Sequence, residues 1–164
     1  MKKEYESLLS SAKVRYAQNE KCIHMLSKKK IRDFEDTVQS LHEEAFQKID
    51  CSLCANCCRV LGPRLNETDI NRLASLFRMK RGSFVARYLQ VDEDGDHVFK
   101  SMPCPFIQDD NRCFVYDARP RACVEYPHTD EKNVHAKLFR LLTNTLYCPA
   151  AFLVVEGLRE KFGQ

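Results

Sequence analysis

The segment CSLCANCCRV holds Cys51, Cys54, Cys57 and Cys58 within eight positions, the last two adjacent. A CxxC step suits soft-metal ligation, because a tight turn can bring two thiolates to one ion with backbone N–H groups aimed at the sulfurs. CxxCxxC extends that to three corners of a site and asks for a remote fourth ligand, the arrangement typical of iron–sulfur clusters. Four further cysteines follow: Cys104 between two prolines, Cys113 after the turn-forming stretch QDDNR, Cys123 after RPRA, and Cys148 before Pro149. All four stand at turns or element ends, where irregular backbone can hold ligands in a preorganised site. These eight are the candidate metal ligands, enough for two four-cysteine centres or for one centre with structural or reactive thiols left over. The side chains of Cys57 and Cys58 point in different directions, so they are expected to serve different roles. Cys22 stands apart from the group.

The competing uses of cysteine are weaker. Neighbouring residues seldom reach the torsion of a relaxed disulfide, and the total of nine leaves one thiol over. The N-terminal stretch MKKEYESLLSSAKVRY has the lysines of a secretory leader without its unbroken apolar stretch, and no later run approaches a membrane span. A cytoplasmic protein with no membrane association is therefore expected, in surroundings where thiols stay reduced. Four thiolates around a divalent ion, or around an oxidised four-iron cluster, carry a net charge of about −2 that is costly to bury without donors nearby. Arg59, Arg119 and Arg121 lie close enough in sequence to serve. His128, five residues after Cys123, could replace a thiol, although a solvated or capping role is the ordinary one for such a histidine.

The elements that must position these residues are mostly helical. Residues 4–26 and 31–49 carry helical periodicity, clearest in the stripe Ile31, Phe34, Val38, Leu41, Ala45 and Ile49, and read as an N-terminal helical hairpin. NETDINRLASLF opens with Asn66 or Thr68 as a capping residue, and a further helix is expected from Ser83. In VDEDGDHV the Asp-Gly pair supplies the positive φ of a tight turn between short strands. Its acidic residues do not complete the spacing of a calcium loop, whose closing Glu is missing. PCPFIQDDNRCFVYDARPRAC reads as a second hairpin followed by a short helix or turn. In the tail, Ala136, Phe139, Leu142 and Leu146 form one stripe, and Pro149 sits just inside a last helix with Cys148 at its start. The fold class expected is mainly α with one or two small β-hairpins: an N-terminal hairpin over residues 1–49 and a metal-stabilised cysteine-cluster domain over 50–164. A net charge of +3 over 164 residues is mild, and the basic run Lys28, Lys29, Lys30 and Arg32 reads as a solvated helix junction, so no nucleic-acid partner is expected.

CSLCANCCRV, then CPFIQDDNRCFVYDARPRAC and EYP, resembles the CxxCxxCC cysteine-cluster family, a zinc- or iron-chelating domain. The resemblance covers about residues 51–127, with the later helices and Cys148 joining the same domain, and implies that Cys51, Cys54, Cys57, Cys58, Cys104, Cys113 and Cys123 are metal ligands. Asn56 stands where the family often has Gly, a change that a left-handed backbone tolerates, and Val124 stands where a basic residue is common. The cluster is also similar to part of the flagellin lysine N-methylases, which implies a sulfur-ligated iron cluster and S-adenosylmethionine as methyl donor; no Gly-rich nucleotide loop after a strand accompanies it here.

Three functions follow: a protein that chelates zinc or iron, including as an iron–sulfur cluster; an iron–sulfur enzyme acting on a protein substrate; and a zinc-stabilised module that docks a protein partner through its N-terminal helices. The cysteine pattern alone does not choose zinc over iron. The aromatic residues Phe106, Phe114, Tyr116, Tyr126 and Phe152 are expected to be ordinary core.

Overall fold

A computed structural model describes residues 1–163. In chain order its helices are α1 (Lys3–Ser27), α2 (Phe34–Lys48), α3 (Cys51–Cys54), α4 (Asn56–Val60), α5 (Glu67–Leu76) and α6 (Arg81–Tyr88). The strands β1 (Leu89–Val91) and β2 (His97–Phe99) come next, and then α7 (Arg121–Glu125), α8 (Leu138–Asn144) and α9 (Pro149–Phe162). Short 3-10 turns cover Tyr116–Ala118 and Val134–Lys137. The protein is therefore mainly α with one small antiparallel hairpin, and packing divides it into two compact units, residues 1–54 with 127–163 and residues 55–126. The cysteine pattern begins near residue 50, so sequence motif and packing partition the chain differently.

In the first unit α1 and α2 both pack against α9, and α1 also meets α8. The stripe of α2 explains its share: Phe34, Val38, Leu41 and Ala45 are buried, as is Ile49 just beyond. α9 begins with Pro149 at its first position, whose missing N–H has no intrahelical partner to lose. It buries Ala150, Ala151, Phe152, Val154, Val155 and Leu158, and each large side chain there contributes about 1.5–3 kcal/mol. The stripe of α8 is shifted from the expected one. Leu138, Leu141 and Leu142 are buried, while Ala136 and Phe139 are exposed. The reason is local: residues 134–137 are wound as a 3-10 turn, whose tighter period rotates the apolar face before α8 begins. Lys28, Lys29, Lys30 and Arg32 are all exposed in the connection between α1 and α2.

The second unit is built on Leu65, Ile70, Leu73, Ala74, Phe84, Leu89, Phe99, Phe106 and Val115, with Cys104 and Cys113 packed against that core. Asn66 caps α5 by accepting from the Asp69 N–H at 2.8 Å, and Asp69 returns a bond to the Asn66 N–H at 3.3 Å. Gly95 holds the β1–β2 turn at φ 83°, with Leu89 paired to Phe99 and Val91 to His97. The second hairpin expected over PCPFIQDDNRCF is reduced to one antiparallel bridge, Ile107 to Cys113, closed by Gln108 N–H to Arg112 at 2.8 Å and by Asn111 at φ 68°. The cysteine at one end and the 3-10 turn beginning at Tyr116 leave no room for a longer ladder.

Candidate metal centre

Five of the eight candidate thiols lie in the second unit. Cys57 and Cys58 belong to α4, which is separated from α3 by Ala55 in the left-handed conformation at φ 50°. Asn56, expected to take that conformation, is instead the first residue of α4. The β-carbon of Ala55 makes its backbone cost about 1 kcal/mol, which a glycine would avoid. Cys104 is tied to α4 by its own N–H, which donates to the Cys58 carbonyl at 2.8 Å. Phe106, 4% exposed and stacked on Phe77 at 5.1 Å, anchors the next turn in the core, and the Phe114 N–H donates to its carbonyl at 2.8 Å. Cys104 and Cys113 therefore flank one rigid corner. Cys123 sits in α7, with its N–H donating to the Pro120 carbonyl at 2.9 Å.

α7 is fixed from α5 by Asp69. Asp69 is 2% exposed. Its Oδ1 accepts the Arg121 N–H at 3.1 Å and Arg72 Nη2 at 2.8 Å, and Arg72 Nη2 also donates to the Arg119 carbonyl at 2.5 Å. One buried carboxylate thus holds both the cap of α5 and the first residue of the helix that carries Cys123. The signal was present as Asn66-x-x-Asp69, a capping-box spacing, but nothing in it announces the long-range bonds.

The electrostatics join four of these thiols into one set. Burial pushes Cys123 up to about 12, and Cys58, Cys104 and Cys113 push the same way. Burial raises Cys104 to about 11, with Cys58 and Cys113 again adding to the shift. Cys113 is raised by burial and by Cys58. Cys58 alone is lowered, to about 7, first by a hydrogen bond from Cys57 and then, against burial, by Arg59 and Arg119. The backbone N–H groups of Phe106 and Ile107 favour the Cys104 thiolate, and that of Val115 the Cys113 thiolate. Such N–H groups two and three residues after a cysteine match what thiolate ligation needs, since they offset charge at the sulfur without adding a side chain.

The other three thiols, Cys51, Cys54 and Cys148, lie in the first unit. Cys51 and Cys54 are the ends of the four-residue α3. Asp50 starts that helix: its carboxylate accepts the Ser52 N–H at 2.8 Å and the Ser52 hydroxyl at 2.6 Å, bonds that hold it below the usual carboxylate range. The Asp50 N–H in turn donates at 3.0 Å to the hydroxyl of Tyr5, a residue 1% exposed. Neither Asp50 nor Tyr5 was singled out from sequence. Cys148 occupies the N-cap position of α9, where burial pushes it up to about 12 and Cys51 and Cys54 add to the shift. The N–H groups of Ala151 and Ala150 favour its thiolate through their charge, short of a capping hydrogen bond.

The remaining expectations divide. Arg121 pairs with Glu125 at 2.5 Å, whereas Arg59 and Arg119 stand near thiols. His128 pairs with Glu131, and Cys22 is raised by burial, with Arg159 and Glu156 beside it. Phe106 and Phe152 are core, but Phe114 and Tyr116 are 62% and 56% exposed. No disulfide forms among the nine cysteines.

Among the described residues, no three Cys, His, Asp or Glu side chains are already arranged to hold an ion, so the sulfurs are neighbours and not a closed coordination shell. The donor set nevertheless fits a soft cation. Burial keeps Cys104, Cys113 and Cys123 protonated, and a shared soft cation could take the place of those protons.

No helix is long and apolar enough to cross a membrane among the described residues. Comparison with curated proteins and with solved structures finds no significant match. Residues 50–149, a segment that includes all eight candidate cysteines, match the model of a family described as a putative zinc- or iron-chelating domain. With more than half of its length matched, the chain belongs to the CxxCxxCC family.

Proposed function

We propose that the protein chelates zinc or iron through two sets of thiolates: Cys58, Cys104, Cys113 and Cys123 in the unit of residues 55–126, with Cys57 as the hydrogen-bond partner of Cys58, and Cys51, Cys54 and Cys148 in the other unit. What supports this reading is that four cysteines from three separate stretches of chain, α4, the turn 104–113 and α7, lie within electrostatic reach of one another, with the Cys104 N–H bonded to the Cys58 carbonyl at 2.8 Å. A chance meeting of core cysteines explains the burial but not the backbone N–H groups that favour the thiolates of Cys104, Cys113 and Cys148. A bound cation would supply Lewis-acid or, as an iron–sulfur cluster, one-electron chemistry. The chain's own part is to exclude water, offset the negative charge, and hold the sulfurs on short helices and tight turns.

The test is metal content after anaerobic purification, with a visible spectrum to separate the two metals. Absorbance near 400 nm belongs to an iron–sulfur cluster, and zinc is silent. Cys123→Ser should lower the metal bound at the four-thiol set and leave the other set filled; Cys148→Ser should do the reverse. Equal metal content in wild type and both variants would remove the reading.

A further inference from the structure

Arg119 is held in place more firmly than its half-exposed position requires. Its guanidinium carbon lies 3.8 Å from the centre of the Tyr116 ring, close enough for a cation–π contact. Its carbonyl is clamped by Arg72 Nη2 at 2.5 Å, and two residues on, the Arg121 N–H is clamped by buried Asp69 at 3.1 Å. Its own N–H donates to the Tyr116 carbonyl at 3.4 Å, closing the turn that presents the ring. Despite this fixing, the Nε–H of Arg119 is buried and meets no acceptor in hydrogen-bonding geometry. A charged donor buried without an acceptor costs about 1–3 kcal/mol or more, so a clamped arginine that leaves one unused calls for an anionic partner.

The neighbours identify that partner. Arg119 lies within electrostatic reach of Cys58, Cys113 and Cys123, three of the four thiols of the set. Arg59 also stands near Cys58, but its Nη2 already donates to Asn111 Oδ1 at 2.5 Å. The two arginines together match the charge of about −2 that four thiolates leave on a divalent ion, and of the two, Arg119 has the buried unused donor.

We infer that Arg119 is the outer positioning residue of the four-thiol set, donating its Nε–H to a thiolate sulfur of the filled site while Tyr116, Arg72 and Asp69 hold it there. The inference rests on the chelation reading above. A donor at a ligating sulfur withdraws electron density from it, which strengthens retention of the metal by lowering the net charge and raises the energy of sulfur-to-metal charge transfer. Outer partners of this kind typically account for about ten- to a hundredfold in metal affinity.

Cobalt(II) is the probe, because its thiolate charge-transfer band reports the sulfur directly and a purely structural arginine would not move it. The full chain is titrated with cobalt and then challenged with a competing chelator. Arg119→Met, which keeps the stem and removes charge and donor, should bind cobalt about ten- to a hundredfold more weakly and shift the band to lower energy. Arg119→Lys keeps the charge and loses the Nε–H fork; it should retain most of the affinity and still shift the band, which settles the matter if Arg119→Met does not fold. Bands of both variants superimposable on wild type, or affinity within about twofold in Arg119→Met, would overturn the inference. If wild type takes up no cobalt, zinc or iron, the chelation reading has failed and this inference with it.

Discussion

Replacing Asp69 by alanine tests whether one carboxylate organises the second unit. Three donors lose their acceptor: the Asn66 N–H at 3.3 Å, the Arg121 N–H at 3.1 Å, and Arg72 Nη2 at 2.8 Å. The first is half of a capping box, worth about 1 kcal/mol. The second is a partly buried backbone N–H at the start of α7, and leaving it unpaired costs about 1–2 kcal/mol. Arg72 has a side chain 44% exposed, keeps its bond to the Arg119 carbonyl and can turn to water, so its loss is about 0.5 kcal/mol. The expected total is about 3 kcal/mol, a large share of the stability of a small protein. Asp69→Asn keeps a carbonyl oxygen for one N–H and should cost about half as much. Urea unfolding of both variants, at one free metal concentration for all three proteins, measures the differences, with unchanged slopes showing that stability alone has moved. If Asp69→Ala lost less than about 1 kcal/mol, the carboxylate would be a local helix cap only, and its bonds to the Arg119–Arg121 segment would carry no weight.

Two predictions concern the first unit. Glu156 is buried, which opposes its charge, but bonds from Arg159 at 2.7 Å and Arg15 at 2.5 Å outweigh burial and hold the carboxyl below the usual range. Its contribution is therefore present above the unfolded-state value near pH 4.3 and lost as pH falls through the lower folded value. Glu156→Gln should cost about 2 kcal/mol at pH 7, a difference that is flat down to about pH 5 and shrinks below pH 4.5; thermal melts of both proteins from pH 7 to pH 3 measure it, and a difference that grew with acid would contradict the ion-pair account. Gly157 lets α2 approach α9: a β-carbon there would lie 2.4 Å from Leu41 Cδ2 and 3.1 Å from Cδ1. Gly157→Ala gains about 1 kcal/mol of helix propensity but should lose about 2 to overpacking against that buried leucine, and in a Leu41→Ala background the same change should become stabilising, as a double-mutant cycle by urea unfolding would reveal.

Long periodic elements were legible in the sequence because their residues are chosen twice, once by the helix and once by the core. The stripe Phe34, Val38, Leu41, Ala45 identifies both α2 and the face it buries, and Asp-Gly at 94–95 identifies the β1–β2 turn. The eight thiols were legible as candidates by spacing alone. Their distribution over two compact units was not, since Cys54 and Cys57 belong to one CxxCxxC run and yet to separate units. The break is a single left-handed alanine, Ala55, a residue type that gives no sign of that conformation. The exposed side of α8 differs from its periodicity for a similar reason, because residues 134–137 are wound as 3-10 and not as α-helix. Asp69 and Tyr5 were invisible in role because their partners, Arg121 and Asp50, stand 52 and 45 residues away.

The size of the second unit connects its stability to its sulfur. Residues 55–126 bury nine hydrophobic residues in one cluster, with two three-residue strands and short helices around them. A core on that scale rarely supplies more than about 3–5 kcal/mol by itself, and a two-stranded hairpin is marginal without something to pack on. Structural zinc in small thiolate sites contributes about 10–16 kcal/mol at neutral pH. Ligation would therefore outweigh the core, against which Cys104 and Cys113 are packed. With an ion bound, the aromatic stack of Phe77, Phe84, Tyr88 and Phe106 would not need to hold the unit folded alone. Its task would be narrower: to fix the backbone at Phe106 so that Cys104, two residues before it, could meet the other thiols on a shared ion at low entropic cost.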